Sequence, residues 1–394
     1  MMVVWQQTVQ MVDMMGTTYF LRIGAVLILC ALVSGKIRAD ATLPSSRSYG
    51  QSLQAWKAQV RKLQGIRDRL AVTKGDDLAT LKKDYLQAVA DAKPALRHFT
   101  TAAESALKKG DEHQQEAADF LKQRMKGLID ADDYERAFRI GTFLVKNGHD
   151  NQVTLESTGI AAAMINHFQQ AREYLKEADQ KQPLSSIGSE TLAKMSEMET
   201  NWKQEEKIRA AESEADDLPR VRLNTTQGDV VVELFENESP ETVANFIELV
   251  EDGFYENLEF HRVVPHRVAQ GGCPNGDGTG GPGYSIRCER ADENYRRHFR
   301  GSLSMARTRE PHTAGSQFFF CLAPLSDLDG QYTVFGRIIE GMDILAKLQR
   351  QEGKSEILPP ADRILKARVE RKRDHEYRAV PYAPAEPAVS GDST

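Results

Sequence analysis

The stretch Phe260-His261-Arg262-Val263-Val264-Pro265-His266-Arg267-Val268-Ala269-Gln270-Gly271-Gly272 decides how the second half of this chain is read. Val263, Val264 and Val268 give it the apolar content of a buried strand, yet His261, Arg262, His266, Arg267 and Gln270 are set among them. Burying such polar groups without partners is costly, so the pattern implies that some of them face a cleft. Two later blocks have the same character. Gly315-Ser316-Gln317-Phe318-Phe319-Phe320 sets an amide beside an aromatic cluster, and Leu328-Asp329-Gly330-Gln331-Tyr332-Thr333-Val334-Phe335-Gly336 reads as an Asp-Gly turn entering a strand.

Outward from these blocks, Val221 to Thr225 alternates, Thr226-Gln227-Gly228-Asp229 supplies turn residues, and Val230, Val232 and Leu234 alternate again, the pattern of a β-hairpin. A helix follows: Ser239 suits its N-cap, Pro240 its first position and Glu241 its positive end, while Val243, Phe246, Ile247 and Val250 form one apolar stripe. Met342 to Gln349 repeats a helical pattern, and Leu365, Ala367 and Val369 alternate as a last strand. The tail 371–394, with Pro381, Pro384 and Pro387, is expected to be disordered.

Phe-His-Arg-Val-Val-Pro, Gln-Gly-Gly, Gly-Ser-Gln-Phe-Phe and Asp-Gly-x-Tyr-x-Val-Phe-Gly, in this order, resemble the cyclophilin family of peptidyl-prolyl cis/trans isomerases over roughly Val221 to Glu370. The resemblance implies a closed antiparallel eight-stranded β-barrel with a helix across each end, in a domain placed at 218–370. It also implies roles: Arg262, Gln270 and Phe319 as catalytic residues, Gln270 orienting Arg262, with Phe319, Val268 and Leu328 forming a prolyl-ring pocket. His261, Gly278, Ala306, Gln317 and Tyr332 would line the substrate groove. Three positions depart from the family pattern: Arg267 replaces an aromatic that closes the pocket, Arg307 replaces Asn, and Asp327 stands where some members carry Trp.

The chemistry fits those residue types. The barrier to rotating an X-Pro bond comes from amide resonance, so a donor aimed at the prolyl nitrogen favours the twisted state in which its lone pair is localised. Arginine suits that task because its guanidinium is always charged and presents a rigid fork of donors. No cofactor or metal is required. Gly276-Asp277-Gly278-Thr279-Gly280-Gly281 satisfies a G-x-G-x-x-G pattern, but Pro282-Gly283-Tyr284 follows where a dinucleotide site would open a helix. A groove wall without side chains is the reading preferred.

The first half is of another kind. Residues 51–188 are rich in Ala, Leu, Lys, Glu and Gln with helical periodicity, and read as an all-α domain. Ala137 and Ala171 occupy similar contexts at a separation of 171 − 137 = 34 residues, and Leu155, Gly159, Ala162, Ala171, Ala178 and Pro183 fit a tetratricopeptide-like helix pair. Leu81 to Leu128 would supply packing neighbours. A charged helical connector is placed at 189–217, with Leu192, Met195, Met198 and Trp202 as its apolar stripe. The whole is a multidomain α + β chain.

The 394 residues carry 51 basic against 57 acidic side chains, a net charge of −6, which argues against a nucleic-acid partner. Arg22 precedes the apolar run Ile23 to Val33, followed by Ile37-Arg38-Ala39, which reads as a signal peptide within 1–39; an uncleaved anchor is the alternative. The chain is therefore expected to be exported, periplasmic or secreted, with no stable membrane span after processing. The mature chain would keep Cys273, Cys288 and Cys321. The expected partners are proline-containing polypeptides and a protein bound by the helical domain; the leading function is isomerisation that assists folding of exported proteins. One rival is an interaction protein that binds Pro-containing segments without useful turnover; a second makes the helical half an envelope-assembly scaffold and the isomerase incidental. Val221 to Glu370 is expected to fold alone.

Overall fold

The computed structural model describes residues 48–383, except 71, 74–76, 291–294 and 352–359. The expected leader lies outside the described residues.

Seven helices come first among the described residues: α1 (Tyr49–Leu70), α2 (Asp77–Lys109), α3 (Gln114–Asp130), α4 (Tyr134–Lys146), α5 (Gln152–Met164), α6 (Phe168–Lys181) and α7 (Ser186–Ala215). α1 buries Leu53, Trp56, Val60, Leu63, Ile66 and Leu70 at helical spacing. These residues share one core with Leu81, Phe99, Phe120 and Leu128, which also reaches Ala137, Ile140 and Leu144. Side chains of Asp133, Asn151 and Ser185 accept the backbone N–H of Arg136, Thr154 and Gly188, capping α4, α5 and α7. At Gly159 an added Cβ would lie 2.8 Å from the Leu175 Cγ, so glycine is what lets α5 and α6 approach here. Gln182 is extended before Pro183, which ends α6.

α7 covers most of the charged helical connector placed at 189–217. Its apolar stripe is packed: Met195 and Met198 are buried against α5 and α6, and Trp202 meets Phe299 edge-on at 4.8 Å. The apolar stripe runs along one face, so it has to be covered by both halves in turn.

The second half is an antiparallel sheet with strands β1 (Arg220–Thr225), β2 (Gly228–Leu234), β3 (Arg262–Val264), β4 (Val268–Gly271), β5 (Ser302–Met305), β6 (Phe318–Cys321), β7 (Val334–Glu340) and β8 (Ile364–Arg371), in the order β3-β4-β6-β5-β7-β2-β1-β8. Its inner face packs Val221, Leu223, Val230, Val232, Phe318, Phe320 and Phe335 against Val243, Phe246, Ile247 and Val250 of α8 (Pro240–Glu251). The expected closed barrel is found as a curled sheet. β3 and β8 form no ladder with each other; the segments just before them meet through the Glu259–Arg363 bridge and the Phe260 N–H to Asp362 carbonyl bond at 2.8 Å. The second helix is a single turn, α9 (Met342–Leu345).

Two further readings change. Leu365 is 43% exposed while Ile364 is buried, because a register shift between Asn224 and Thr225 leaves Leu365 without a partner. The tail expected to be disordered from 371 is held through 383: Tyr377 is buried and donates to Glu236 at 2.8 Å, and the Tyr382 N–H donates to the Ser285 carbonyl at 2.7 Å.

The halves meet through charge as well as through Trp202 and Phe299. Arg296 donates to Glu205 at 2.7 and 3.0 Å, Arg337 to Glu212 at 2.5 Å, and Arg300 to Glu135 at 3.1 Å. Asp132 takes Arg350 and His266.

Candidate active site

Period-2 alternation builds the pocket. In β6, Phe318 and Phe320 point into the sheet's core, so Phe319 must point the other way, where it forms a separate apolar cluster with Val268, Cys321 and Leu325. Val264, Ala306, Leu328 and Tyr332 pack against that cluster. Tyr332 meets Phe319 edge-on, with ring centroids 5.9 Å apart. The residues expected to make the prolyl pocket therefore do lie together.

The polar wall runs across adjacent strands. Arg262 on β3 is opposite Gln270 on β4, and Gln270 is opposite Phe319 on β6. The Gln270 amide donates to the Gln317 side-chain oxygen at 3.0 Å, and the Gln317 amide donates to the carbonyls of Gly278 and Gly280, each at 2.8 Å. Gly278 has a φ of 86°, a left-handed conformation suited to glycine. Its missing side chain faces His261: an added Cβ would be 3.7 Å from Nε2. Both His261 ring nitrogens are buried without a protein partner, and burial holds the imidazole below its ordinary pKa. Arg262 itself is exposed at the rim.

The glycine segment opens no helix. Cys273 organises it instead: its sulfur accepts the N–H groups of Gly278 and Gly280, each at 3.3 Å. Burial pushes this thiol's pKa up, but those N–H groups and others bring it below its ordinary value. Cys288 and Cys321 are also free and buried.

The departures from the family pattern have defined places. Arg267 turns to Asp327 at 2.6 Å, both side chains about half exposed, so the two unusual residues pair with each other at the pocket's mouth. Arg307 donates to the Gln331 carbonyl at 2.7 Å and to the Thr308 carbonyl at 2.8 Å while lying 4.7 Å over the Tyr332 ring, which ties the 307–310 loop to the pocket.

Sequence reasoning missed His298. It is buried and lies parallel to Phe319 at 6.0 Å; its Nδ1 is 2.9 Å from Asp329, and its Nε2 is 3.1 Å from the Ser304 hydroxyl. It backs the pocket floor. Its surroundings, Arg296-Arg297-His298-Phe299-Arg300, carry no periodicity that could have marked it.

The apolar cluster around Phe319, an exposed guanidinium and a row of amides thus lie side by side on neighbouring strands. Residues 220–369 match the family described as cyclophilin type peptidyl-prolyl cis-trans isomerase/CLD. A peptidyl-prolyl cis-trans isomerase of Helicobacter pylori (strain ATCC 700392 / 26695) is 49% identical over 130 residues, 32% of this chain and 78% of that protein. Isomerase B of Bacillus subtilis is 46% identical over 125 residues, 32% of this chain and 86% of that protein. Among solved structures, a cyclophilin type isomerase of Cryptosporidium parvum is 32% identical, covers 40% of this chain and 99% of its own, and gives a TM-score of 0.37. The same protein was also solved in the presence of the dipeptide Ala-Pro. The chain belongs to the cyclophilin type peptidyl-prolyl cis-trans isomerases, through its second half.

Proposed function

We propose that this isomerase acts on proline-containing segments of exported proteins and that Arg262 stabilises the twisted prolyl amide. The observation that carries this reading is the register Arg262, Gln270, Phe319 across three neighbouring strands. It sets a permanent cation, an amide and the floor of a ring-sized pocket in one line. A prolyl ring over Phe319 then has its nitrogen on the Arg262 side. The Gln270 amide group is engaged by Gln317, which leaves its carbonyl oxygen to steady the guanidinium or the substrate backbone. The glycine loop lets that backbone come close. Catalysis of this kind is differential binding: the donor is worth more when the nitrogen lone pair is localised than when it is conjugated.

Arg262→Ala should lower kcat/KM for a proline-containing peptide by on the order of 10²-fold, the scale of losing a transition-state donor, with the circular dichroism spectrum unchanged. The binding-module reading has Arg267 in its favour, since a cation replaces an apolar pocket wall. It takes over if the wild-type chain binds such peptides without accelerating isomerisation and Arg262→Ala changes nothing.

The helical half is proposed to be tetratricopeptide-like and to recruit a client or partner. Among the described residues no helix is long and apolar enough to cross a membrane. Export rests on the apolar run from Ile23 alone. Mass spectrometry of the protein from its native host should find an N-terminus near Asp40; a chain retaining Met1 or Met14 removes this part of the proposal.

A further inference from the structure

The turn that joins β3 to β4 is Val264-Pro265-His266-Arg267, closed by the Arg267 N–H to Val264 carbonyl bond at 3.2 Å. His266, at its third position, has a φ of 59°. A turn of this form, with proline second and a left-handed residue third, favours glycine at that third position. A residue with a side chain persists there only when its surroundings hold it.

What holds it comes from the other half of the molecule. Asp132, 1% exposed in the link between α3 and α4, accepts the His266 N–H through Oδ1 at 2.9 Å, and the same oxygen is 2.7 Å from the imidazole Nδ1. Tyr134 donates its hydroxyl to that carboxylate at 3.0 Å. Oδ2 takes the Arg350 guanidinium, and Arg300 donates to the Asp132 carbonyl at 3.1 Å. Burial alone would push the Asp132 pKa up, but His266 and Arg350 hold it below the usual carboxylate value, so it stays ionised. The turn in turn fixes the site. It sets the register that places Arg262 opposite Gln270, and it leads directly into Arg267 and Val268.

We propose that Asp132 is a positioning residue for the isomerase reaction: by holding His266 in its left-handed conformation, it aligns Arg262, Gln270 and Val268. The helical half thereby completes the active site without touching substrate. This rests on the reading of Arg262 given above.

The test uses the full chain in four forms: wild type, Asp132→Ala, His266→Gly and the double variant, each assayed on a proline-containing peptide. Glycine adopts the left-handed conformation unaided. Asp132→Ala should therefore lower kcat by about 10-fold with a smaller change in KM, as expected when catalytic groups are misplaced. In the His266→Gly background the same substitution should cost less than about 2-fold, the rescue that marks coupled residues. Asp132→Asn keeps an oxygen for the His266 N–H and should retain kcat within about 2-fold, although the ion pair with Arg350 is lost. If Asp132→Ala does not fold because Arg350 is stranded, the four proteins are compared with Arg350→Met in each.

Equal losses in both backgrounds, or a change in thermal stability with kcat intact, overturn the proposal. So does a folded Asp132→Asn protein as impaired as Asp132→Ala. The failure of the Arg262 reading would look different: Arg262→Ala would itself leave kcat unchanged.

Discussion

Arg267 shows how much a single side chain's direction matters. Its position in the sequence puts a cation into an apolar pocket; its actual contact, with Asp327 at 2.6 Å, carries the charge out to solvent. An ion pair this exposed contributes little to stability. Arg267→Phe should thus leave the fold intact and add an apolar wall beside Phe319, tightening prolyl binding by about 1–2 kcal/mol, roughly 10-fold in kcat/KM. Steady-state kinetics on one peptide would decide it, and a loss of activity would mean that Arg267 serves substrate directly. Phe319, Val268 and Leu328 were legible beforehand because alternation and motif both fix them. The Arg267–Asp327 pair was not, because nothing local links positions that distant in sequence. His298 escaped for the same reason: its partners Ser304 and Asp329 lie on separate segments and define it only once folded.

Among the elements, α7 shows best what a helical reading leaves open. Its composition marks a charged helix with an apolar stripe, but not which partner covers its acidic residues. The partner is Arg296, which is 3% exposed and donates to Glu205 from two nitrogens. Bidentate geometry of this sort fits arginine and carboxylate closely. Arg296 also holds Glu212 and Glu238, so Glu205→Ala leaves the buried guanidinium partly paired and should cost about 1–3 kcal/mol in chemical denaturation, the scale of a lost charged hydrogen bond. A cost near zero would mean that Glu212 and Glu238, which Arg296 already contacts, carry the pairing. The strands were recovered better than their edges. Ile364 rather than Leu365 faces inward because of a bulge, and a one-residue slip of this kind leaves almost no trace in an apolar-rich segment.

At the scale of the whole molecule, the sequence suggested that Val221 to Glu370 folds alone, since it holds both the first and the last strand of the second half. The interface argues otherwise. Phe299, Arg296, Arg300 and Arg350 are buried, and the helical half supplies their covering groups. A fragment of residues 218–383 would expose an aromatic ring and lose the carboxylates that pair with these guanidinium groups. We expect it to melt well below the full chain, and the full chain to unfold in one transition by calorimetry. Two separate transitions, the second matching the fragment's, would restore the picture of independent halves. Buried polar contacts between distant segments cannot be read from periodicity, which reports only on the faces of single elements.

The polarity of that interface also bears on how the chain is made. Asp132, Glu135, Glu205 and Glu212 lie in the part synthesised first, and His266, Arg296, Arg300, Arg337 and Arg350 in the part that follows. Wherever the chain emerges N-terminus first, the helices would present these carboxylates before their basic partners appear. Docking is then guided by long-range attraction while the later strands are still emerging. Chain order itself becomes part of the design: the template precedes the piece that is moulded on it.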